Sequence, residues 1–356
     1  VKPVWRLFRH WDRMVSASEG LAIDDALAHS ISEQGSAPIL HLYRFKPAAI
    51  VGKYQDIEAA LKIDRCRELG VEFNRRSTGG GTVIMGEKVV ALGFGVPLDY
   101  GPMGKGIDAV FGIMSSLLIR ALNNLGVEAV FRPKNDIEVQ GKKIAGLSAS
   151  AEVGSCLLFH CSMLVDFDIG LMLDIMNLPS EKLYDKGYSC FSQRLTTIER
   201  ELGKPVGVDT VMETIVESFE REFGAQFEPS PLSEWEKART KQLEKERYQN
   251  PEWIFSHKHP RSRMGEAYKK TPGGLLQIYL ALAGSVIDQV VITGDFFSTG
   301  ADINRIEAAL KWTPAKRERI LENLKSVWRD GVIYGVTRED LADAILLAKE
   351  RLLAQS

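Results

Sequence analysis

Two stretches hold the residue types from which a reaction can be built. In the first, Arg75-Arg76-Ser77-Thr78-Gly79-Gly80-Gly81-Thr82-Val83, three consecutive glycines follow two arginines. Lacking a Cβ, the glycines let backbone approach a ligand and turn N–H groups towards an anion, and the arginines add charge that does not titrate away. That combination suits a phosphate or a carboxylate. A tight turn beside two solvated arginines would use the same residues, and the two common phosphate-loop spacings, G-x-x-x-x-G-K-[ST] and G-x-G-x-x-G, are absent. The second stretch is Arg132-Pro133-Lys134-Asn135-Asp136-Ile137-Glu138-Val139-Gln140-Gly141-Lys142-Lys143-Ile144-Ala145-Gly146. An Asn-Asp pair entering a strand can serve adenine, ribose or a metal, and a lysine on the returning arm can reach an activated acyl-phosphate oxygen. A plain turn with solvated lysines is the alternative.

Both stretches need elements to aim them. Periodicity predicts an amphipathic helix over residues 20–34, with Asp24 and Asp25 favouring its N-terminal end, then strands over 38–45 and 48–51 and a helix over 57–69. Strands over 71–75, 81–84 and 89–96 flank the glycine turn, and a helix over 107–124 ends at Gly126. Residues 136–139 and 143–148 read as hairpin arms around Gln140-Gly141, which points Lys143 inward and Lys142 outward by strand alternation; 156–167 is the next strand. From 208 to 248 the pattern is helical and charged, and 250–263 is irregular, with Pro251, Pro260, His257 and His259. Beyond lie a hairpin over 275–282 and 285–292 and helices over 303–310, 315–327 and 338–353. Strands outnumber crossover helices, so the expected class is α+β, in two parts: a large domain over residues 1–260 and a small α+β one over 261–356.

The 356 residues exceed the size at which one core stops growing, about 250–300 residues. With 45% hydrophobic and 26% charged residues and a formal net charge of -2, no general affinity for nucleic acid is expected. No apolar run is long enough to span a membrane, and Val1-Lys2-Pro3-Val4-Trp5 contains no leader-like run, so the expectation is a cytoplasmic protein with no membrane partner. Cys66, Cys156, Cys161 and Cys190 lack C-x-x-C spacing and are expected to be reduced thiols; His257 and His259 are expected to be solvated.

A third stretch, Phe159-His160-Cys161-Ser162-Met163-Leu164-Val165, follows the other two. On all three the chain resembles the lipoate-protein ligase family, within the class of biotin and lipoate ligases and octanoyltransferases. Members carry R-R-x-[ST]-G-G-G-[AT]-V, then N-D followed by a G-K-K-[IV]-[AS]-G hairpin, then a strand with a leading histidine. Ser192-Gln193-Arg194-Leu195-Thr196-Thr197-Ile198 looks like the family's adenylate-binding loop, and Tyr248-Gln249-Asn250-Pro251-Glu252-Trp253 like its closing motif. The likeness covers most of residues 1–260, and the tail with Gly294-Asp295-Phe296-Phe297 is similar to the family's accessory C-terminal domain.

The resemblance implies a large mixed-sheet catalytic domain and an ATP-dependent reaction: lipoate is activated to lipoyl-AMP with Mg2+, and the lipoyl group passes to a lysine of an acceptor protein. The implied acceptor is a lipoyl domain of a 2-oxoacid dehydrogenase or an H-protein-like lipoate-binding protein. Lys143 would be the catalytic residue. Arg75, Arg76, Ser77, Thr78, Gly79, Gly80, Gly81, Thr82 and Val83 would enclose the lipoyl chain; Asn135 and Asp136 would face the nucleotide, Asp136 also as a magnesium ligand. Ala145, Gly146, His160 and Arg194 would complete the lipoate and adenylate site.

One place departs from the family. Where the usual ligase has a His-Asp pair and a Gly-Asn or Gly-Asp, this chain has Ile84-Met85-Gly86-Glu87-Lys88-Val89, which puts the usual acceptor and a magnesium contact in doubt. Glu87 could substitute, or simply occupy a surface turn. Two other readings stay open. An octanoyltransferase of this fold moves its acyl group through a cysteine thioester, with Cys161 as the cysteine inside the matched strands, and an inactive lipoyl-binding module would keep the pocket without turnover.

Overall fold

The structure is a computed structural model that describes residues 2–10, 12–154, 156–177, 193–257, 264–298, 303–329 and 331–354. It packs as two compact units. The first comprises residues 1–51, 60–78 and 83–254; the second comprises 52–59, 79–82 and 255–356.

In the first unit, β1 (Val4–Arg9) leads to helix α1 (Ala17–Gln34), which is capped by Ser16 accepting the Glu19 N–H and stopped by Gly35 at φ +63°. The helix therefore starts before the predicted residue 20, because the side-chain cap at Ser16 satisfies amides that periodicity does not register. Then come β2 (Ile39–Tyr43), β3 (Ala48–Val51), short helices α2 (Ile57–Ala60) and α3 (Ile63–Glu68), β4 (Glu72–Arg75), β5 (Val83–Met85) and β6 (Val89–Pro97). Helix α4 (Ile107–Asn124) precedes β7 (Val130–Arg132), β8 (Asp136–Val139), β9 (Lys142–Val153) and β10 (Cys156–Leu164). Helices α5 (Ile169–Ile175), α6 (Ile198–Leu202) and α7 (Val208–Phe223), strand β11 (Gln226–Pro229) and helices α8 (Glu234–Leu243) and α9 (Pro251–Ile254) finish the unit.

Eight strands form one mixed sheet in the order β11-β1-β2-β6-β10-β9-β8-β7, and β4-β3-β5 form a smaller one. Strands β6 and β10 run through its middle, and α1 packs across them. Two glycines of β6 permit the close approach: a Cβ at Gly93 would lie 2.1 Å from Asp24 Oδ1, and one at Gly95 2.7 Å from Ile31 Cδ1. The hairpin turn is as predicted, with φ +49° at Gln140 and +80° at Gly141. The expected continuous helix over 208–248 is broken instead. Gly224 adopts φ +60° and ends α7, and Gln226–Pro229 pair in parallel with β1 at the sheet edge.

The second unit is a three-stranded antiparallel sheet of β12 (Gly265–Thr271), β13 (Gly274–Ala283) and β14 (Val286–Gly294) with helices α10 (Ile303–Leu310), α11 (Arg317–Val327) and α12 (Arg338–Ala354). Leu276, Ile278, Ile287, Ile292, Leu310 and Ile345 are among its core. Tyr54 belongs to the same core, stacked on Phe296 with centroids 5.0 Å apart, and its carbonyl accepts the Gly294 N–H at 3.0 Å. The chain is thus α+β, with a large mixed sheet and a small C-terminal domain.

Candidate active site

The β8–β9 hairpin sets the lysine. Asp136 pairs with Gly146 and Glu138 with Lys143, with a register shift between Ile137 and Glu138. The Lys143 side chain runs forward along its own strand over position 146, where a Cβ would stand 2.9 Å from Nζ and 3.1 Å from Cε. This course brings the ammonium to Asp136 Oδ1 at 2.7 Å. The glycine closing Gly-Lys-Lys-Ile-Ala-Gly is room for the lysine. Because Lys143 and Asp136 remain 31% and 28% exposed, the pair adds little stability; what it supplies is direction.

Neighbouring residues hold the hairpin. Asn135 donates its amide to the Leu147 carbonyl at 2.9 Å and accepts the Leu147 N–H on its own carbonyl at 2.8 Å, so it locks the entry to β8. Ala145 is buried between Ile137 and Met163, and Gly146 lies beside Ser162. On the far side of Lys143 its N–H donates to the Arg194 carbonyl at 2.8 Å and its carbonyl accepts the Thr196 N–H at 2.9 Å. Residues 194–196 therefore extend the sheet beside the lysine and leave the Arg194 side chain exposed. Ser192, at the head of that motif, lies outside the described residues.

In the glycine stretch the two arginines part company. Arg75 is fully buried and gives Nε to the Trp253 carbonyl at 3.0 Å and Nη2 to the Ile254 carbonyl at 3.1 Å, while Trp253 returns its indole N–H to the Arg75 carbonyl at 2.9 Å. Its guanidinium ties down the closing motif, a backbone duty, where the sequence suggested anion binding. Arg76 Nε donates to Thr78 Oγ1 at 3.1 Å and Nη1 to the Ile50 carbonyl at 3.2 Å; burial and then neighbouring Arg75 push this guanidinium down to about 9. A desolvated cation gains from an arriving anion. Val83 opens β5 opposite Ile50.

Asp24 and Asp25, expected near a helix start, sit in the middle of α1 and are buried at 1% and 0% exposure. Asp25 accepts from Ser77 Oγ at 2.6 Å, Arg247 Nη1 at 2.7 Å and the Tyr248 hydroxyl. Asp24 accepts from His41 Nδ1 and from the Tyr43 hydroxyl, each at 2.7 Å. His160 Nε2 approaches Asp24 Oδ2 at 3.2 Å, somewhat off line for a hydrogen bond, and His160 Nδ1 lies 3.0 Å from Thr78 Oγ1. Burial alone would raise the Asp24 carboxyl; His41 and His160 hold it below the usual carboxylate range. Two adjacent acids between Ile23 and Ala26, on the face that should be apolar, were the available signal for these residues.

Gly79, Gly80, Gly81 and Thr82 pack in the second unit. Gly80, at φ +94°, donates its N–H to the Phe296 carbonyl at 3.0 Å, where the sequence reading left it to an anion. A Cβ at Gly79 would stand 2.6 Å from that same carbonyl, so the glycines here admit a neighbouring backbone. Thr82 Oγ1 donates to Gln55 Oε1 at 3.1 Å.

Three cysteines are described, and all are buried. Burial pushes the thiols of Cys156 and Cys161 up to about 12 and raises that of Cys66. Cys190 and His259 lie outside the described residues, and His257 faces the Tyr54 ring at 6.1 Å. Glu87 is exposed in the β5–β6 turn. Among the described residues no group of three His, Cys, Asp or Glu could hold a metal ion, and no helix is long and apolar enough to cross a membrane.

Residues 16–220 match the pattern of the lipoyl protein ligase A/B catalytic domain. The chain belongs to that family. Residues 265–345 match the bacterial lipoate protein ligase C-terminus. Among lipoyl ligase relatives, the octanoyltransferase LipM of Clostridioides difficile is 25% identical over 272 residues, 70% of this chain and 97% of that protein. The lipoate-protein ligase LplJ of Bacillus subtilis is 27% identical over 307 residues, 86% of this chain and 90% of that one. The fold is also that of a solved bi-partite lipoate protein ligase, studied with its E2 lipoyl domain, from Thermoplasma acidophilum: TM-score 0.63, 24% identity, 73% of this chain and 99% of that one. This lipoyl ligase family member is therefore an enzyme of acyl transfer to lysine.

Proposed function

We propose that the protein is an ATP-dependent lipoate-protein ligase. The observation that carries this reading is the Lys143 ammonium, aimed by Asp136 and Gly146, in a unit whose described thiols are all buried. Length supports it too. The LplJ match runs over 86% of this chain, whereas LipM is used up to 97% of its own length by 70% of it.

Activation brings a carboxylate against the α-phosphate of ATP, two anions whose approach is resisted by charge. Lys143 and Arg76 supply positive charge where negative charge accumulates, and Asp136 keeps the ammonium from wandering. Asp136 also fits magnesium in the way that ion usually binds, by one or two carboxylates with phosphates and water supplying the rest. When bound, the ion would offset charge on the leaving pyrophosphate. Transfer requires the acceptor lysine as a free amine, oriented towards the mixed anhydride; no covalent enzyme intermediate is involved. A lipoyl domain or an H-protein-like protein, both carrying an exposed lysine, would be the acceptor.

The octanoyltransferase reading is kept alive by the LipM relatives. ATP–pyrophosphate exchange dependent on lipoate, with AMP release and a lipoylated acceptor seen by mass spectrometry, supports the ligase. Acylation of the acceptor from octanoyl carrier protein without ATP overturns it.

A further inference from the structure

Asp24 and Asp25 lie outside the short motifs that carry the family likeness, yet both face the residues that lead into the glycine turn. Asp25 takes the Ser77 hydroxyl at 2.6 Å; Asp24 reaches the next hydroxyl, Thr78, through His160. Two carboxylates buried side by side are a costly choice for the inner face of a helix, where apolar residues of similar volume would often be at least as stable. The surroundings have been shaped to keep them. Position 93 is glycine, since a Cβ there would fall 2.1 Å from Asp24 Oδ1, and His41, which bonds Asp24, stacks on Tyr43 with centroids 4.1 Å apart.

We propose that Asp24 and Asp25 are positioning residues for acyl-substrate binding, fixing the Ser77 and Thr78 hydroxyls where the glycine turn leaves β4. The proposal rests on the reading that this stretch holds the acyl substrate. An ionised carboxylate only accepts, so the His160 Nε2 facing Asp24 carries the proton. In the neutral ring Nδ1 is then a lone pair, into which the Thr78 hydroxyl donates while Arg76 Nε–H donates to the Thr78 oxygen at 3.1 Å. Removing the Asp24 charge leaves the histidine free to change tautomer and the hydroxyl free to rotate. Ser77 is fixed more directly, and its anchor Asp25 is itself held by Arg247 and Tyr248.

The test uses the full chain with Asp24→Asn, Ser77→Ala and His160→Gln. Nitrogen-15 spectra of the imidazoles, with His160→Gln to assign the ring, should show an Nε2–H tautomer for His160 in the wild type and its loss in Asp24→Asn. In steady state, Asp24→Asn and Ser77→Ala should raise KM for the acyl acid about tenfold or more with little change in kcat, the pattern of lost ground-state positioning. A folded Asp24→Asn protein with the wild-type tautomer, or unchanged KM in these variants, overturns the proposal. Should Asp24→Asn fail to fold, Ser77→Ala and His160→Gln decide by the same KM reading. The tautomer is read without ligand, so a wild type that uses octanoyl carrier protein in place of ATP would sink the ligase reading alone; KM is then measured on that thioester.

Discussion

Lys143 occupies the space that a side chain at residue 146 would need: a Cβ there would be 2.9 Å from its Nζ. Two glycines of one hairpin thus do different work. Gly141, at φ +80°, makes the turn, and Gly146, at the far end of the arm, lets a long flexible lysine lie flat against the sheet and present its charge beside Asp136.

Gly146→Ala should therefore spare the fold and damage the reaction, because the displaced atoms are the far end of a side chain that can swing away. A shift of about 1 Å in a positioned group can cost on the order of a hundredfold in rate. Adenylate formation by the purified variant, with its melting temperature alongside, checks this; a slow enzyme that also melts early would point to packing instead.

Lys143→Ala should lower lipoyl-adenylate formation roughly a hundred- to a thousandfold, about 2.7 to 4 kcal/mol, by analogy with loss of an oxyanion-hole donor. Lys142→Ala is the internal control and should cost little. Lys143→Arg should also be poor, since a planar guanidinium does not fit where a compact ammonium is needed. Equal activity of the two alanine variants would remove Lys143 from the mechanism.

The thioester alternative has a direct chemical test. With burial pushing the Cys156 and Cys161 thiols up to about 12, neither should be alkylated by iodoacetamide in the native protein at pH 8, and Cys161→Ser should keep most ligation activity. Cys190→Ser should do the same if ATP supplies the activation. Loss of ATP-independent acyl transfer in Cys190→Ser, measured from octanoyl carrier protein, would assign a nucleophile to that residue.

His10 should make the fold sensitive to mild acid. Burial, then His41 and Arg13, pushes its imidazole down to about 4, whereas in the unfolded chain it takes a proton near its ordinary value of about 6.5. Between those values the unfolded state binds the extra proton, so this contribution to stability is complete above about 6.5 and is lost as pH falls towards 4. Melting curves at pH 7.5, 6 and 4.5 should show a steeper fall for the wild type than for His10→Gln; parallel curves would reject the assignment.

A chain ending at residue 260 removes the Phe296 carbonyl that receives the Gly80 N–H and the ring on which Tyr54 stacks. The remaining protein should stay folded. Supplied with preformed lipoyl-adenylate it should work better than when supplied with ATP and lipoate, and equal impairment of both half-reactions would show that residues 261–356 do not favour the first.

The hairpin that carries Lys142 and Lys143 was legible because its chemistry is local: a Gln-Gly turn between two short arms is enough to place it. Arg75 was misread because its partners, the carbonyls of Trp253 and Ile254, lie 178 and 179 residues away in sequence. The buried acids were missed for a related reason. Periodicity finds the inner face of a helix by its apolar residues, so Asp24 and Asp25 were read only as charges favouring the helix's N-terminal end, while their partners His41, Tyr43, Ser77 and Tyr248 lie elsewhere in the chain. Strand β11 escaped because four residues after a helix carry too short a pattern, and its partner is the first strand of the chain.

Tyr54 and the Gly79–Thr82 turn sit within the family's catalytic segment by sequence but pack with residues from 255 onward. Recombination must respect that. A chimera in which residues 265–345 are exchanged for those of a relative would present a foreign backbone to Gly79 and a foreign ring to Tyr54, so a workable graft has to transplant residues 52–59 and 79–82 with it. Over evolutionary time the same coupling predicts that substitutions at Tyr54 and Gly79 are tracked by changes at Phe296 and Phe297, although more than two hundred residues of chain separate them.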